Sequence, residues 1–263
     1  MSHTIYQIDA FTDTLFGGNP AAVCPLGDWL SDDILLQIAK ENNLAETAFF
    51  TQLDNDEFHI RWFTPDIEMD LCGHATLATA HCIFSNFVNK NTHVIHFISK
   101  SGPLTVHRDG DMYHMQLPRR KGIKADLPDI IRQSINIQPI EIYKSRDFLL
   151  IYSNEEDIRN LEINRSIFDR INLGTGGVIV SAPGSDCDFV SRFFTPQSTI
   201  LEDPVTGSSH CTLVPYWSHQ LDKAILHAKQ LSDRGGQLLC RDQSDRVEIA
   251  GKAITFFKGT MNI

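Results

Sequence analysis

Arg61-Trp62-Phe63-Thr64-Pro65 recurs 131 residues later as Arg192-Phe193-Phe194-Thr195-Pro196, in a chain of 263 residues. After each copy an acidic stretch leads to a glycine that opens a helix-like segment. In the first half it reads Glu68-Met69-Asp70-Leu71-Cys72-Gly73-His74, and in the second Leu201-Glu202-Asp203-Pro204-Val205-Thr206-Gly207-Ser208. The second loop is three residues longer, which puts Gly207 134 residues after Gly73. Self-similarity at half the chain length is the signature of a duplicated unit. The competing reading is two unrelated strand-then-turn units.

The surrounding sequence fits duplication. Short runs rich in β-branched and aromatic residues read as strands. In the first half they cover 5–11, 47–51, 58–63, 93–99, 104–107 and 112–117. In the second they cover 148–152, 177–182, 189–194, 224–231, 237–240, 247–249 and 254–257. Many short strands at close spacing point to barrels or curled sheets. Ser31-Asp32-Asp33 caps an amphipathic helix over 34–41, with acidic residues at its positive end. The segment 74–88 is apolar nearly all round, which predicts a buried helix. Its counterpart starts at Ser208 and runs to about 221, and Pro215 must kink or disturb it. The class read from this pattern is α+β, with two pseudo-symmetric domains, each a β-barrel-like sheet around a central helix. The boundary falls in the Pro-containing, basic stretch 118–129, giving domains 1–118 and 119–263.

The formal charge of −10 argues against nucleic acid or an anionic membrane as partner. No apolar run reaches the ~20 residues of a membrane span. The first residues lack the basic-then-apolar order of a secretory signal, so the expected compartment is the cytosol. The six cysteines form no C-x-x-C pair and the eleven histidines no metal-ligand spacing, so no metal site is expected. G-x-G-x-x-G, the P-loop and H-E-x-x-H are all missing. Gly174-Thr175-Gly176-Gly177 precedes a strand and reads as a turn.

The chemistry concentrates at the two helix openings. The first backbone N–H groups of a helix lack partners and carry partial positive charge, and a glycine lets a ligand approach closely. Gly73 and Gly207-Ser208 therefore either cap their helices or hold a small carboxylate. Glu46 opens the apolar strand Glu46-Thr47-Ala48-Phe49-Phe50. It is either a solvated edge residue or a buried general acid–base. His74 and Asp203 stand beside the two glycines, either as ordinary helix-start and turn residues or as groups of the site. Cys72 is a rival nucleophile or base at a helix N-terminus. Two-thiol chemistry needs a second cysteine at the matching place, and aligning Thr206-Gly207 as the opening leaves Pro204 and Val205 there.

In combination these segments resemble the phenazine-biosynthesis-F-like (PhzF-like) family, within the diaminopimelate-epimerase-like fold. The resemblance rests on Asp9-Ala10-Phe11-Thr12, Gly17-Gly18-Asn19-Pro20-Ala21-Ala22-Val23, Leu44-Ala45-Glu46-Thr47-Ala48-Phe49 and Cys72-Gly73-His74-Ala75-Thr76-Leu77-Ala78. It continues through both R-aromatic-F-T-P stretches, Glu202 to Ser208, and Gln230-Leu231-Ser232-Asp233-Arg234-Gly235-Gly236. It implies a cofactor-independent isomerase, in a homodimer, moving a proton on a small carboxylate substrate in an inter-domain cleft. By position it implies Glu46 as general acid–base, with His74 and Asp203 in the catalytic group. Gly73, Gly207, Ser208, Asn19 and Thr76 then line the substrate. Two further readings stay open: a Cys72-dependent amino-acid racemase or epimerase, and a non-catalytic small-acid binder.

Overall fold

A computed structural model describes residues 2–263, which divide into two compact units. The first runs to Gln116 and takes back Ile249–Ile263; the second is Leu117–Glu248.

In the first unit β1 (Ser2–Ala10) and β2 (Asn19–Leu26) pair antiparallel. Helix α1 (Asp32–Asn42) then carries the chain to β3 (Glu46–Gln52), which lies parallel to β2. β4 (Glu57–Phe63) returns antiparallel and pairs with the two-residue β5 (Glu68–Met69). Helix α2 (Gly73–Asn86) crosses to β6 (Val94–Ser99), parallel to β4. β7 (Gly102–Asp109) and β8 (Met112–Pro118) follow as antiparallel neighbours. Parallel pairs need long crossovers, and α1 and α2 supply them.

The second unit repeats this order. After β9 (Ile123–Lys124), α3 (Asp129–Ser134) and β10 (Glu141–Lys144) comes β11 (Phe148–Ile151). Helices α4 (Glu155–Arg159) and α5 (Arg165–Phe168) lead to β12 (Val178–Pro183), parallel to β11. β13 (Phe189–Phe194) is antiparallel to β12. A 3₁₀ turn over Gly207–Ser209 and α6 (His210–Leu221) cross to β14 (Ile225–Gln230), parallel to β13. β15 (Gly236–Asp242) closes the series antiparallel. The two halves share one strand-pairing pattern, as the repeated R-aromatic-F-T-P segments predict.

Each unit packs its strands on a helix that is buried on nearly every face. In α2 all residues from Gly73 to Phe84 are buried except His81, as a helix without a polar side must be. α6 continues through Pro215 to Leu221. A proline cannot donate to the carbonyl four residues back, and the Cys211 carbonyl accepts the Arg120 N–H at 2.9 Å instead. The predicted disturbance is thus resolved by a substitute donor.

Two features lie outside the sequence reading. The last segment, 249–263, belongs with the first unit. β16 (Arg246–Gly251) carries the chain back, and β17 (Ala253–Asn262) pairs along the whole of β1. β1 otherwise has β2 on one side only, and β17 satisfies the backbone groups of its second edge. Asn19–Leu26, which the sequence does not reveal as a strand, lies between β1 and β3. Its two prolines hide it. Pro20 is near the start of the strand, opposite Asp9, and Pro25 lies beyond the stretch paired with β1, opposite Phe50 of β3; prolines inside a run mask a central strand.

Candidate active site

The repeated segments do the same physical work in both units. Arg61 Nε donates to Glu68 Oε1 at 2.8 Å, and its guanidinium lies 5.1 Å from the Phe63 ring. Arg192 Nε and Nη2 donate to the two Glu202 oxygens at 2.7 and 2.8 Å, over the Phe194 ring at 4.9 Å. Each pair fastens the acidic stretch onto its strand, Phe63 opposite Glu68 and Phe194 opposite Glu202. Five residues beyond each glutamate a helix opening begins, at Gly73 and at Gly207. The residues just before are Cys72 and Thr206, both extended. Thr206, rather than Pro204 or Val205, therefore occupies the place of Cys72, and the second unit has no thiol there.

In the first unit the helix opening meets the start of β3. His74 is buried, and its Nε2 lies 3.1 Å from Glu46 Oε2. Asn19 Nδ2, at the start of β2, is 3.0 Å from His74 Nδ1, and Cys72 Sγ is 3.6 Å from the same nitrogen. The Asn19 amide donating to Nδ1 leaves the imidazole proton on Nε2, facing the carboxylate. Although close, Nε2 and Oε2 are not aligned as a hydrogen bond, and both are buried without a hydrogen-bond partner among the described residues. Buried polar atoms in that state are uncommon, and a catalytic role or a bound group is among the explanations they call for.

Burial opposes a charged His74, but Cys72 and Glu46 beside the ring outweigh it and hold its pKa well above the ordinary histidine value. Burial also pushes the Cys72 thiol up to about 11. The thiol is protonated at neutral pH, so Glu46 is the partner that favours the imidazolium there. A proton on Nδ1 requires the Asn19 amide to turn its oxygen toward the ring.

Asn19, Glu46, Cys72, Gly73 and His74 thus come together. Thr76 lies on the same turn, but its hydroxyl donates to the Cys72 carbonyl at 2.5 Å and so serves the helix start. Neither Gly73 nor Gly207 has a positive φ, so a left-handed backbone is not the reason for glycine there.

The second helix opening is built differently. Ser208 Oγ accepts from Arg146 Nη2 at 3.0 Å. The same guanidinium grips Asp147, which is fully buried and also accepts the Gly177 N–H at 2.9 Å. Asp203 Oδ2 accepts the Thr206 hydroxyl at 2.5 Å, and the Asp203 carbonyl accepts from Gln230 Nε2 at 2.7 Å. His210 is buried with its Nδ1 2.9 Å from the Thr206 carbonyl, and burial lowers its pKa to about 4, so it is neutral. Arg146 and Asp147 escape sequence reading because nothing local distinguishes Ser145-Arg146-Asp147 from a charged turn before a strand.

Comparison with known proteins follows the same lines. The family profile described as phenazine biosynthesis-like protein matches residues 8–259. A protein of Pseudomonas aeruginosa named as an uncharacterized isomerase is 44% identical over 100% of both chains. The human phenazine biosynthesis-like domain-containing protein is 37% identical over 99% of both. The crystal structure of a PhzF-family phenazine biosynthesis protein from Enterococcus faecalis superposes with a TM-score of 0.93, at 40% identity over 100% of both chains.

Proposed function

We propose, for a chain that belongs to the phenazine biosynthesis-like (PhzF) family, that it is a cofactor-independent isomerase in which Glu46 moves a proton on a small carboxylate substrate. The observation that carries this is the Glu46–His74 pair: 3.1 Å apart, with both facing atoms buried and without an aligned hydrogen bond to the protein. A substrate C–H or O–H is the partner such a pair lacks. Glu46 takes the proton from a carbon made acidic by a neighbouring carbonyl or double bond, and returns it elsewhere on the same molecule. His74 holds the carboxylate in place and shares its charge, and Asn19 fixes the ring from behind.

The substrate carboxylate is assigned to backbone N–H groups at a helix opening, Gly73 in the first unit with Gly207-Ser208 as its counterpart in the second, where partial positive charge also steadies a developing anion. Asp203 orients a polar group of the substrate. Support for an isomerase comes from the relatives that bear that name. No helix of the described residues is long and apolar enough to cross a membrane. Exposed Phe16 and Phe256, in edge-to-face contact at 5.6 Å, support the homodimer; light scattering tests it.

The test needs no prior guess of substrate. Wild type and Glu46→Gln are incubated with a small-acid extract in D₂O, and mass spectrometry finds any metabolite gaining non-exchangeable deuterium. A gain with wild type and none with the variant identifies the substrate and the proton carrier. A gain of equal rate with both removes Glu46 from the role.

A further inference from the structure

We propose that the Cys72 thiolate, one His74 nitrogen and the Glu46 carboxylate form a site for a single Zn²⁺ ion, which holds Glu46 away from proton transfer while bound. One ligand atom from each of the three side chains lies within 4.8 Å of the others. A tetrahedral zinc with its usual bond lengths sets ligand atoms about 3.4–3.6 Å apart. Two of the separations are already near that value, 3.6 Å from Cys72 Sγ to His74 Nδ1 and 3.1 Å from His74 Nε2 to Glu46 Oε2. These contacts use opposite ring nitrogens. One ion therefore requires a single nitrogen to face it and a closing movement of roughly 1 Å, within reach of a glutamate side chain.

Charge and softness select the ion. On binding, the S–H proton leaves to solvent and an S–Zn bond forms. Thiolate and carboxylate together then cancel the ion's two positive charges, with the imidazole neutral. A buried complex of zero net charge avoids the cost of burying an unpaired ion. Sulfur and imidazole favour Zn²⁺ over Mg²⁺ and Ca²⁺, which prefer oxygen ligands. Three protein ligands leave the fourth position open to water or a carboxylate. In the second unit Thr206 and Ser208 occupy the places of Cys72 and His74, so the expected stoichiometry is one ion per chain.

The inhibitory consequence rests on the proton-transfer reading above; the binding does not. The full chain, stripped of metal by chelation, is titrated with Zn²⁺ against a chromophoric chelator, and with Co²⁺ to look for a near-ultraviolet thiolate-to-cobalt band. Wild type is expected to bind one equivalent that excess Mg²⁺ does not displace. Cys72→Ser and Glu46→Gln, each checked for native circular dichroism, are expected to weaken it by about a hundredfold or more, and Cys72→Ser to lose the cobalt band. Absence of a tight equivalent in wild type, or equal affinity in both variants, overturns the site. Zinc binding as expected beside a Glu46→Gln variant that still labels its substrate refutes the proton-transfer reading and leaves the site standing.

Discussion

Replacing Arg192 with methionine tests whether the repeated segments carry equal weight. Arg192 makes four hydrogen bonds: two to Glu202, and two from Nη1 to the carbonyls of Ile158 and Leu161 at 3.0 and 2.8 Å. Its side chain is 15% exposed and that of Glu202 23%. Breaking one partner of a buried pair costs about 3–5 kcal/mol, and the partial exposure of both groups puts Arg192→Met near the lower end, about 3 kcal/mol. Arg61 and Glu68 are as sheltered, at 18% and 20% exposed, but share one hydrogen bond, and the other partner of Arg61, Asp32, is 77% exposed. One charged hydrogen bond fewer to Glu68 and no bonds to buried carbonyls put Arg61→Met at about 2 kcal/mol. Methionine keeps most of the apolar stem, which isolates the polar loss. The assay is urea unfolding of both variants, followed by circular dichroism and by tryptophan fluorescence. Trp217 reports the second unit, and Trp29 and Trp62 the first. If Arg61→Met lowers the midpoint as much as Arg192→Met or more, the reasoning from bond number and exposure is wrong.

Further expectations follow from the site. Glu46→Gln lowers turnover by about 10²–10⁴-fold, the usual worth of a positioned acid–base group, while substrate affinity, read by calorimetry once the D₂O screen has identified the ligand, changes little. Cys72→Ser leaves the labelling rate within about twofold, because a thiol with a pKa near 11 is a poor base at neutral pH; a large loss in a folded variant supports the thiol-dependent racemase instead. The two buried helix-start histidines give opposite pH signatures. His74 has a raised pKa in the folded state, so its contribution to stability is complete below the unfolded value and is lost as pH rises through the folded one. His210 has a folded pKa lowered to about 4, so its contribution holds above the unfolded value of about 6.5 and is lost as pH falls toward 4. Melting temperatures of His74→Gln and His210→Gln across pH 4–9, each compared with wild type, check both signs; a pH-independent difference in either case refutes the assignment.

Much of this was legible in the sequence because its signals are local. The strands around Arg61 and Arg192 announce themselves by aromatic and β-branched composition, and α2 by its lack of a polar face. Glu46, His74 and Cys72 are visible as polar residues at the mouths of apolar elements. What the sequence hides is pairing at long range. Nothing in Ala253–Asn262 says that it belongs beside β1 rather than with the residues just before it. Nothing in Asn19-Pro20 announces a central strand, or an amide held against the His74 ring. Arg146 and Asp147 become informative only when folding brings Ser208 and Gly177 to them.

The strand register turns the repeat into an argument about mechanism. Ala48 faces Trp62, and Ile179 faces Phe193. With Trp62 and Phe193 equivalent in the repeat, Gly177 holds the place of Glu46. No base can stand there: a Cβ at 177 would come within 2.5 Å of the Phe193 ring and 2.7 Å of the Phe194 carbonyl oxygen, closer than atoms pack. Ser208 holds the place of His74 and Thr206 that of Cys72. Every titratable group of the first helix opening is thus matched by a neutral residue in the second, where Arg146 is already neutralised by Asp147. Inverting a stereocentre with two bases requires an acid–base group from each side of the carbon. The second unit carries none at the positions that match Glu46, Cys72 and His74. A single acid–base group is what the step proposed for Glu46 requires, taking a proton from one atom of a substrate and returning it to another.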